Sequence, residues 1–457
     1  MKDPNAKAGI LSSISIKEKV GYAVGDLGFN FYWANISAFL LFFYTEVFGI
    51  SAAIAGTMML ITKIFDAFTD PAMGALADRT KTRFGKFRPY LLWAALPMAA
   101  AGVLTYTTPN IGEQGKVIWA YGTYTMMMMI YTVLNIPYSA LSGVITAKSQ
   151  ERTRLISFRF IAAFAGTILV NYFTLDLVEI LGKGNENLGW QLTMVLYGLV
   201  AAILYVIVFL TTRERISPPP KQNTSVSSDL KDLLNNRPWL VLFSLALLIM
   251  ITITMRAGAS IYYVIYYLEK PELVKFFLTA YGVALGVGAA VTPIFTRFID
   301  KKQLMIILMS LTGILSISFY FIPASNITLI FIVHILIGFV LGPKSPLAYS
   351  MYADTADYTE WKTGRRATAM TFSAANFSQK LGGALASFII GSVLASMGYV
   401  AKEAQSDASK MGIVLVISVI PGIFALLAAL LMKFYTLDNK SLSKVQHELN
   451  ERKLNEE

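Results

Sequence analysis

The sequence predicts an all-α membrane protein with twelve membrane-spanning helices, and three observations support this. Of 457 residues, 55% are hydrophobic and 15% are charged, whereas soluble proteins carry about 25% charged residues. Twelve stretches reach the roughly 20 apolar residues that a bilayer-crossing helix needs. Basic residues concentrate in alternate loops. A soluble enzyme is excluded, and the absence of cysteine excludes disulfides, thiolate metal sites and thiol nucleophiles.

The twelve predicted spans follow one another along the chain with short loops between them. They are 20–45, 52–77, 90–108, 117–146, 155–175, 190–211, 239–268, 276–296, 304–323, 328–353, 367–397 and 411–435. An even number of spans puts both termini on the same side. The first span is too long for a cleaved signal peptide.

The loop charges predict the orientation of the protein. Of 39 Lys and Arg residues, 28 lie in the terminal segments and alternate loops, and six lie in the opposite loops. By the positive-inside rule, both termini are cytoplasmic. The net charge of +11 is therefore explained by topology, and we expect no nucleic-acid partner.

The longest polar segment between spans predicts a division into two halves. Residues 212–238 contain three consecutive prolines at 218–220 and a polar run, which is typical of a linker. We expect a six-helix bundle over 1–211, a cytoplasmic linker over 212–238, a second bundle over 239–435 and a cytoplasmic tail over 436–457.

Apart from Lys433 at the cytoplasmic end of the last span, eight charged residues fall inside predicted spans, where a charge costs several kcal/mol and is a functional hypothesis by default. They are Asp26, Lys63, Asp66, Asp70, Arg159, Arg256, Lys344 and Lys380. This number favours a water-filled cavity over a packed bundle.

The densest cluster lies in span two. Lys63, Asp66 and Asp70 are spaced three and four residues apart, which places them on one helical face. Two carboxylates that close repel each other and gain affinity for a cation or a proton. The cluster predicts an ion-coupling site, while the alternative is a neutralised Lys63–Asp66 pair that only holds helices together.

Further polar residues within the spans are candidates for the same cavity. Thr132 and Asn135 lie on one side of span four, where they can complete a cation's oxygen shell, bind a polyol or simply join helices. Asn30 and Asn376 offer amides in spans one and eleven. Tyr263 belongs to a run of tyrosines that fits either sugar stacking or an interfacial girdle.

Charged residues at the cytoplasmic ends of spans predict a gate. Asp78, Arg79 and Arg88 lie in and beside the loop after span two, and Asp354, Asp357 and Arg365 lie in the loop after span ten. Salt bridges among them can latch one conformation, and the alternative is a pair of merely solvated loops.

Several motifs, in order and in the expected spans, resemble those of one transporter family. The run from Asp66 to Gly74 with Asp78 is the most distinctive, and four shorter matches accompany it over nearly the whole chain: 43–46, 85–89, 135–138 and 353–358. Together they resemble the glycoside–pentoside–hexuronide:cation symporters, the family of melibiose permease.

The resemblance implies a major-facilitator fold with two six-helix bundles and alternating access. It also implies that Asp66 and Asp70 serve both cation and sugar. Lys63 and Arg159 match basic residues of the family, Lys380 matches a lysine near the cation site, and Thr132 matches its threonine.

The chain also departs from melibiose permease. Asn30 and Asn135 stand where that protein has acids, which favours proton over sodium coupling. Ser139 and the region of Lys344 stand where it has tryptophans, which makes melibiose itself doubtful as the substrate. Lys344 and Arg256 suit the carboxylate of a hexuronide, unless Lys344 extends to the cytoplasm instead.

The sequence thus predicts a multi-pass protein of the bacterial inner membrane that imports a glycoside or small saccharide with H+ or Na+. We expect no cofactor, no metal beyond a Na+ at Asp66 and Asp70, and function as a monomer within the lipid bilayer. The alternative is an exporter of another metabolite or drug by proton antiport. An enzyme or a channel has less support.

Overall fold

The computed structural model describes residues 14–146, 149–215, 234–364 and 368–456, and these residues are nearly all helical. The chain divides into two compact units, Met1–Pro220 and Lys221–Glu457, which we call the first and second units. Most of residues 212–238, the predicted linker, lie outside the described residues.

The first unit consists of six successive helical stretches, of which the third is divided in two. Their bounds are α1 Ile16–Asn35 with π-helical continuations Ile36–Leu40 and Phe43–Phe48, α2 Ala52–Arg79, α3 Arg88–Trp93, α4 Ala95–Thr105, α5 Glu113–Ile145, α6 Ser149–Gly182 and α7 Glu186–Thr211.

The second unit repeats this pattern and adds a terminal helix. Its elements are α8 Arg237–Tyr262 with a π-helical end Tyr263–Tyr267, a 3₁₀ turn Pro271–Leu273, α9 Val274–Ala290, α10 Thr292–Phe295, α11 Lys301–Phe319, α12 Ile327–Leu341, α13 Lys344–Thr363, α14 Thr368–Ser396, α15 Asp407–Ile417, α16 Val419–Leu431 with a 3₁₀ turn Met432–Phe434, and α17 Asn439–Glu456.

Proline accounts for the breaks within three of these stretches. A proline has no backbone N–H, so the carbonyl four residues earlier loses its helical donor. Pro97 follows the break at Ala94 between α3 and α4, Pro343 lies in the break between α12 and α13, and Pro421 follows the break at Ser418 between α15 and α16.

Ten helical stretches among the described residues are long and apolar enough to cross a membrane, with α12 and α13 counted as one stretch and α15 and α16 as another. The predicted first and third spans are not among them. The third is divided at Ala94, and its longer part, Ala95–Thr105, has only 11 residues. Each predicted span nevertheless coincides with a helical stretch.

One predicted boundary is wrong. Residues 354–363 were expected in a loop, but α13 continues as a regular helix to Thr363 and ends at Gly364, whose φ of 70° suits glycine. The last part of α13 is polar, so the hydropathy of the sequence falls before the helix ends. This part packs against α17. There Trp361 donates to the Glu448 carboxylate, and Val445 and Leu449 are buried.

In the first unit, α1 packs closely against its neighbours because small residues line it. A Cβ atom on Gly25 would lie 2.5 Å from Cε2 of Tyr138 on α5, so only glycine permits this approach. One turn further on, Phe29 contacts the rings of Tyr131, Tyr138 and Tyr205 at centroid distances of 5.0–5.4 Å. This aromatic core fixes α5 and α7 around α1.

Carboxylates hold the ends of the first unit's helices at the predicted cytoplasmic side. Glu214, just after α7, accepts hydrogen bonds from the backbone N–H groups of Lys86, Phe87 and Arg88 at 2.8–3.0 Å, and so caps the start of α3. Glu18 binds Arg215 with two bonds of 2.7 and 2.8 Å. These contacts fasten the loop before α3 and the start of α1 to the end of α7.

A third contact of this kind joins α1 to the start of α6. Lys19 Nζ lies 2.7 Å from the Glu151 carboxylate. The hydrogen bond and charge of Lys19 lower the pKa of Glu151 below its ordinary value. Glu151 therefore stays ionised at neutral pH, and the contact persists as an ion pair.

Replacing Glu214 tests whether it fastens the loop before α3. In Glu214→Ala three backbone donors lose a charged acceptor, and a hydrogen bond to a charged group contributes about 1.5–3 kcal/mol. We expect a lower thermal unfolding midpoint for the purified protein and a smaller fall for Glu214→Gln, which keeps a carbonyl acceptor. Glu403→Ala, at an exposed position, is the control. An unchanged midpoint in Glu214→Ala would contradict the capping role.

Candidate functional site

Three charged residues on one face of α2 and a threonine of α5 form what we call the coupling cluster: Lys63, Asp66, Asp70 and Thr132. Lys63 Nζ lies 3.6 Å from Oδ2 of Asp66, whose side chain is fully buried. Thr132 Oγ1 donates to Asp70 Oδ1 at 2.8 Å. The cluster holds two carboxylates and one fixed ammonium, so its formal charge is −1.

The ammonium of Lys63 has two further contacts besides Asp66. Its Nζ lies 4.8 Å from the ring centroid of Trp33 on α1 and 3.6 Å from Sδ of Met128 on α5. A cation over an aromatic face gains electrostatic stabilisation. Lys63 is thus fixed between three helices, α1, α2 and α5.

Prolines lie next to the coupling cluster in both of its helices. Pro71 follows Asp70 directly, and Pro137 lies two residues after Asn135, which is half-buried one turn beyond Thr132. Each proline removes one helical N–H and leaves a carbonyl oxygen without its usual donor. The neighbourhood is therefore rich in oxygen acceptors, which is the chemistry that binds H+ or Na+.

A second polar group, the Asp26 cluster, consists of Asp26 on α1, Tyr138 on α5 and Arg159 on α6. The Arg159 guanidinium binds both Asp26 oxygens, Nε to Oδ2 and Nη2 to Oδ1 at 3.1 Å. Tyr138 donates to Asp26 Oδ2 at 2.7 Å, and its ring lies 4.6 Å from Cζ of Arg159. The ion pair is partly exposed, at 19% for Arg159 and 14% for Asp26.

Asn30 lies beside this cluster. Its amide donates to the Asp26 carbonyl at 2.8 Å, and its Oδ1 accepts from Thr167 of α6 at 3.1 Å. Asp26, Asn30 and Trp33 are spaced four and three residues apart, so one face of α1 carries contacts to both clusters.

Asp26 is one of the charged residues within the predicted spans and Tyr138 ends the motif 135–138, but neither is among the predicted site residues. The available signal was that Asp26 is an acid within a span that also contains Asn30, and that Arg159 is a base at similar depth with no assigned acid. An intramembrane charge almost always has a partner. That rule predicts an acid for Arg159 but does not choose between Asp26, Asp66 and Asp70.

In the second unit, Lys344 begins α13 and lines a small pocket. The side chains around it come from α8, α13 and α14: Ala246, Ile249, Met250, Ser345, Ala348, Tyr349, Tyr352 and Gln379. Lys344 is only 8% exposed. The pocket lies within the second unit.

Asn376 and Lys380 lie on α14, within three residues of Gln379, which lines this pocket. Tyr349, which lines the pocket, donates to Oδ1 of Asn376 at 3.3 Å. Lys380 directly follows Gln379, which also lines the pocket. The structure thus brings together two residues predicted for the site, Lys344 and Asn376, through Tyr349.

Arg256, by contrast, lies in the helix packing of the second unit and not at the Lys344 pocket. It is fully buried. Its Nη1 donates to the Ile417 carbonyl at 2.7 Å, and this carbonyl lacks a helical donor because Pro421 follows four residues later. Its Nη2 bonds to Nδ1 of His334 at 2.9 Å, and His334 Nε2 bonds to the Phe277 carbonyl at 3.2 Å.

Tyr263 also lies among packed rings. It is 1% exposed and stacks on Tyr267 at 5.0 Å, with Phe319 at 5.3 Å and Phe277 at 6.1 Å. Its contacts are those of a core residue, and the structure places it apart from the Lys344 pocket.

The predicted gate residues have different surroundings. The side chain of Asp78 and all of Arg365 lie outside the described residues. Arg79 is exposed, and Arg88 donates to the Phe209 carbonyl from Nε at 3.2 Å. Asp354 pairs with Lys301 at 2.7 Å, and Asp357 lies on α13 one turn later. The described contacts of Arg88 and Asp354 are within their own units.

Comparisons with known proteins identify the family. The chain matches the family model described as MFS/sugar transport protein over residues 21–439. It is 37% identical over 438 residues to "Inner membrane symporter YicJ" of Escherichia coli (strain K12), with 95% of each chain covered. It is 34% identical over 427 residues to "Isoprimeverose transporter" of Lactiplantibacillus pentosus, with 92% of this chain and 88% of that protein covered.

Solved structures support the same fold. The "Crystal structure of D-xylose-proton symporter" superposes with a TM-score of 0.67 at 16% identity, covering 93% of this chain and 98% of that one. The chain is a multi-pass membrane transport protein with a major-facilitator fold of twelve helices in two six-helix bundles. It belongs to the MFS/sugar transport protein family and is not an enzyme.

These findings confirm the predicted family, fold class, inner-membrane location and transport function, and they do not favour the exporter. The predicted site residues, the two cytoplasmic termini and the domain bounds stay predictions.

A double-mutant cycle tests the ion pair of the Asp26 cluster. Asp26→Asn or Arg159→Gln alone leaves one charge without its partner, and the double variant removes both charges. We expect the pair to show a coupling of about 0.5–3 kcal/mol in thermal unfolding. The exposed pair Lys410–Glu269, 2.7 Å apart, should couple less, because solvent screens it. Additive effects at Asp26 and Arg159 would show that the pair does not interact.

Proposed function

We propose that the protein is a symporter that imports a glycoside or small saccharide together with H+ or Na+ by alternating access. The family model is described as sugar transport, and the relatives' names include a symporter and a transporter of isoprimeverose. The observation that carries the proposal is the coupling cluster, in which two carboxylates lie one helical turn apart and one of them is bound to Thr132 of another helix.

The cluster's charge explains how it would respond to a cation. Two carboxylates one helical turn apart on α2 repel each other, which raises their affinity for a proton or a cation. A proton or Na+ at Asp70 would relieve this repulsion. We infer that Asp66 and Asp70 hold the coupling ion, with Thr132, Asn135 and Lys380 as neighbouring polar groups.

The Asp26 cluster supplies the complementary chemistry for a sugar. A carboxylate accepts and a guanidinium donates hydrogen bonds, so the pair can bind sugar hydroxyls of either polarity. We propose that Asn30, Asp26 and Arg159 contact the sugar from the first unit.

The two clusters share the helix α5. Thr132 contacts Asp70 and Tyr138 contacts Asp26, and six helical residues span about 9 Å. An ion that changes the position of Thr132 would therefore also change that of Tyr138. By linkage, ion and sugar must then raise each other's affinity by the same factor.

The topology completes the proposal. We propose that both termini face the cytoplasm, because 28 of the 39 basic residues lie on that side. We further propose that the monomer is the working unit, with bundles over 1–211 and 239–435, a linker over 212–238 and a tail over 436–457.

Asp70→Asn tests the coupling role. The amide keeps the shape but cannot exchange a proton or balance Na+, so we expect gradient-driven accumulation in proteoliposomes to disappear, with an inside-to-outside ratio of about one. Sugar exchange without a gradient should remain measurable. Imposing H+ and Na+ gradients separately on the unaltered protein identifies the ion. Asp407→Asn, at an exposed position, is the control, and accumulation that survives in Asp70→Asn would refute the assignment.

Thr132→Val tests the second ligand of the cluster. The change removes the 2.8 Å hydrogen bond to Asp70 and keeps the branched shape. We expect the apparent cation affinity of uptake to fall about five- to tenfold, as for the loss of one hydrogen bond of roughly 1 kcal/mol. Thr292→Val, which loses a bond to the Ala289 carbonyl at the end of α9, should leave cation affinity unchanged. Equal cation dependence in both variants would remove Thr132 from the site.

A further inference from the structure

The segment from the end of α2 to the start of α3, residues 79–88, carries a dense group of bases, and we call it the basic loop. Its bases are Arg79, Lys81, Arg83, Lys86 and Arg88. No Asp or Glu occurs from there to Gly112. The positive-inside rule explains an excess of bases here but not whether the protein itself neutralises them.

Little of this charge is neutralised within the part of the chain that the structure describes. The side-chain nitrogens of Arg79, Lys81 and Arg83 have no hydrogen-bond or ion-pair partner among the described residues, and all three side chains are exposed. The acid beside the loop is Glu214, whose carboxylate binds three backbone N–H groups. Even with Asp78, the residue before the loop, bases outnumber acids five to two.

The basic loop holds its charges on a fixed backbone. Residues 82–85 form a tight turn, in which Thr82 Oγ1 donates to the Gly85 carbonyl at 2.8 Å and accepts from the Phe84 N–H at 3.1 Å. Gly85 has a φ of 109°, which favours glycine, and Glu214 fixes the next three N–H groups. Charges that are already in place lose less entropy when they bind a ligand.

An exposed apolar face continues directly from the basic loop. The hydroxyl of Thr80, which lies between two of the bases, bonds to the hydroxyl of Tyr90 on α3 at 2.5 Å. The Tyr90 ring contacts that of Trp93 at a centroid distance of 5.5 Å. Trp93 is 56% exposed, and Leu92 and Leu96 are 41% and 68% exposed. We call these last three residues the apolar face. Tryptophan is typical of the membrane–water interface, so headgroups and acyl chains meet at this place.

We infer that the basic loop and the apolar face bind an anionic phospholipid of the surrounding bilayer. The exposed bases hold its phosphate, which guanidinium groups suit, and the apolar face contacts an acyl chain. Clusters of four to eight bases beside a span are typical of such binding. A soluble phosphate would leave the apolar face uncovered, whereas a lipid matches both parts. The inference is independent of which sugar and ion are transported.

The loop at the corresponding position of the second unit, between α10 and α11, is different. It has three bases and one acid in six residues: Arg297, Asp300, Lys301 and Lys302. Lys301 pairs with Asp354 at 2.7 Å, and Lys302 Nζ donates to the Lys433 carbonyl at 3.3 Å. Free bases are therefore concentrated at the basic loop, and bases of the second unit can serve as controls.

Two lipids with the same acyl chains test the inference on the purified full-length protein in detergent. Dioleoyl phosphatidylglycerol is anionic and dioleoyl phosphatidylcholine is zwitterionic, and a lipid that binds the folded protein raises its thermal unfolding midpoint. We expect phosphatidylglycerol to act at about tenfold lower mole fraction. Equal curves overturn the inference. Glycerol phosphate at the same concentration should leave the midpoint unchanged, and equal stabilisation by it would show a site for a soluble anion instead.

Charge-removing variants assign the preference to the basic loop. Lys81→Gln combined with Arg83→Gln should raise the half-maximal phosphatidylglycerol fraction about tenfold or more, and Lys81→Gln alone about fivefold. Lys81→Arg combined with Arg83→Lys keeps both charges and should keep the preference. Arg297→Gln combined with Lys433→Gln removes two exposed bases elsewhere on the same predicted side and is the control. An equal change in the control shows general attraction and overturns the site, as does no change in either Lys81→Gln variant.

Brominated acyl chains test the apolar face, because bromine quenches the fluorescence of a tryptophan that it contacts. At equal mole fraction, brominated phosphatidylglycerol should quench the unaltered protein more than brominated phosphatidylcholine does. In Trp93→Phe this difference should disappear. A difference that persists in Trp93→Phe, or equal quenching by both lipids in the unaltered protein, would remove the apolar face from the site.

Discussion

The structure depends on one constraint, which is that a charge within an apolar medium must find compensation. In the first unit, Arg159 meets Asp26 and Lys63 meets Asp66. In the second unit, Arg256 donates to the Ile417 carbonyl, which Pro421 leaves without a helical donor. Arg256 also bonds to His334, whose other ring nitrogen bonds to the Phe277 carbonyl. These contacts each join different helices or fix a side chain between them, so the buried charges also determine how the helices pack.

The helix α5 connects this constraint with the proposed coupling of ion and sugar. It presents Thr132 to the coupling cluster and Tyr138 to the Asp26 cluster. Gly25 lets α1 approach Tyr138, and Trp33 of α1 covers Lys63. Both clusters thus contact the same two helices, α1 and α5. In the proposed function, a change of charge in one cluster would alter contacts that position the other, which is the physical requirement for a linked binding equilibrium.

Much of the fold and part of the site follow from the sequence, because hydropathy and helical spacing are local properties. The spacing of Lys63, Asp66 and Asp70 gave their common face, and the twelve apolar stretches gave the helices. Which faces of two helices contact each other is not a local property of the sequence. The pairing of Asp26 with Arg159, 133 residues apart, depends on which faces meet. The end of α13 was misjudged for the same reason, since its polar last turns are helical where they pack against α17.

Depth alone does not distinguish a structural charge from a functional one, and the second unit shows why. Arg256 and Lys344 are both buried cations within predicted spans. From the sequence alone, either one fits the carboxylate of a hexuronide. Arg256 has a carbonyl and an imidazole as partners, and aromatic rings at 5.2 and 5.9 Å. Lys344 lines a pocket of donors and has no acid among the described residues of its lining. A buried cation held by groups of several helices stabilises their packing, whereas the surroundings of Lys344 are those of a pocket.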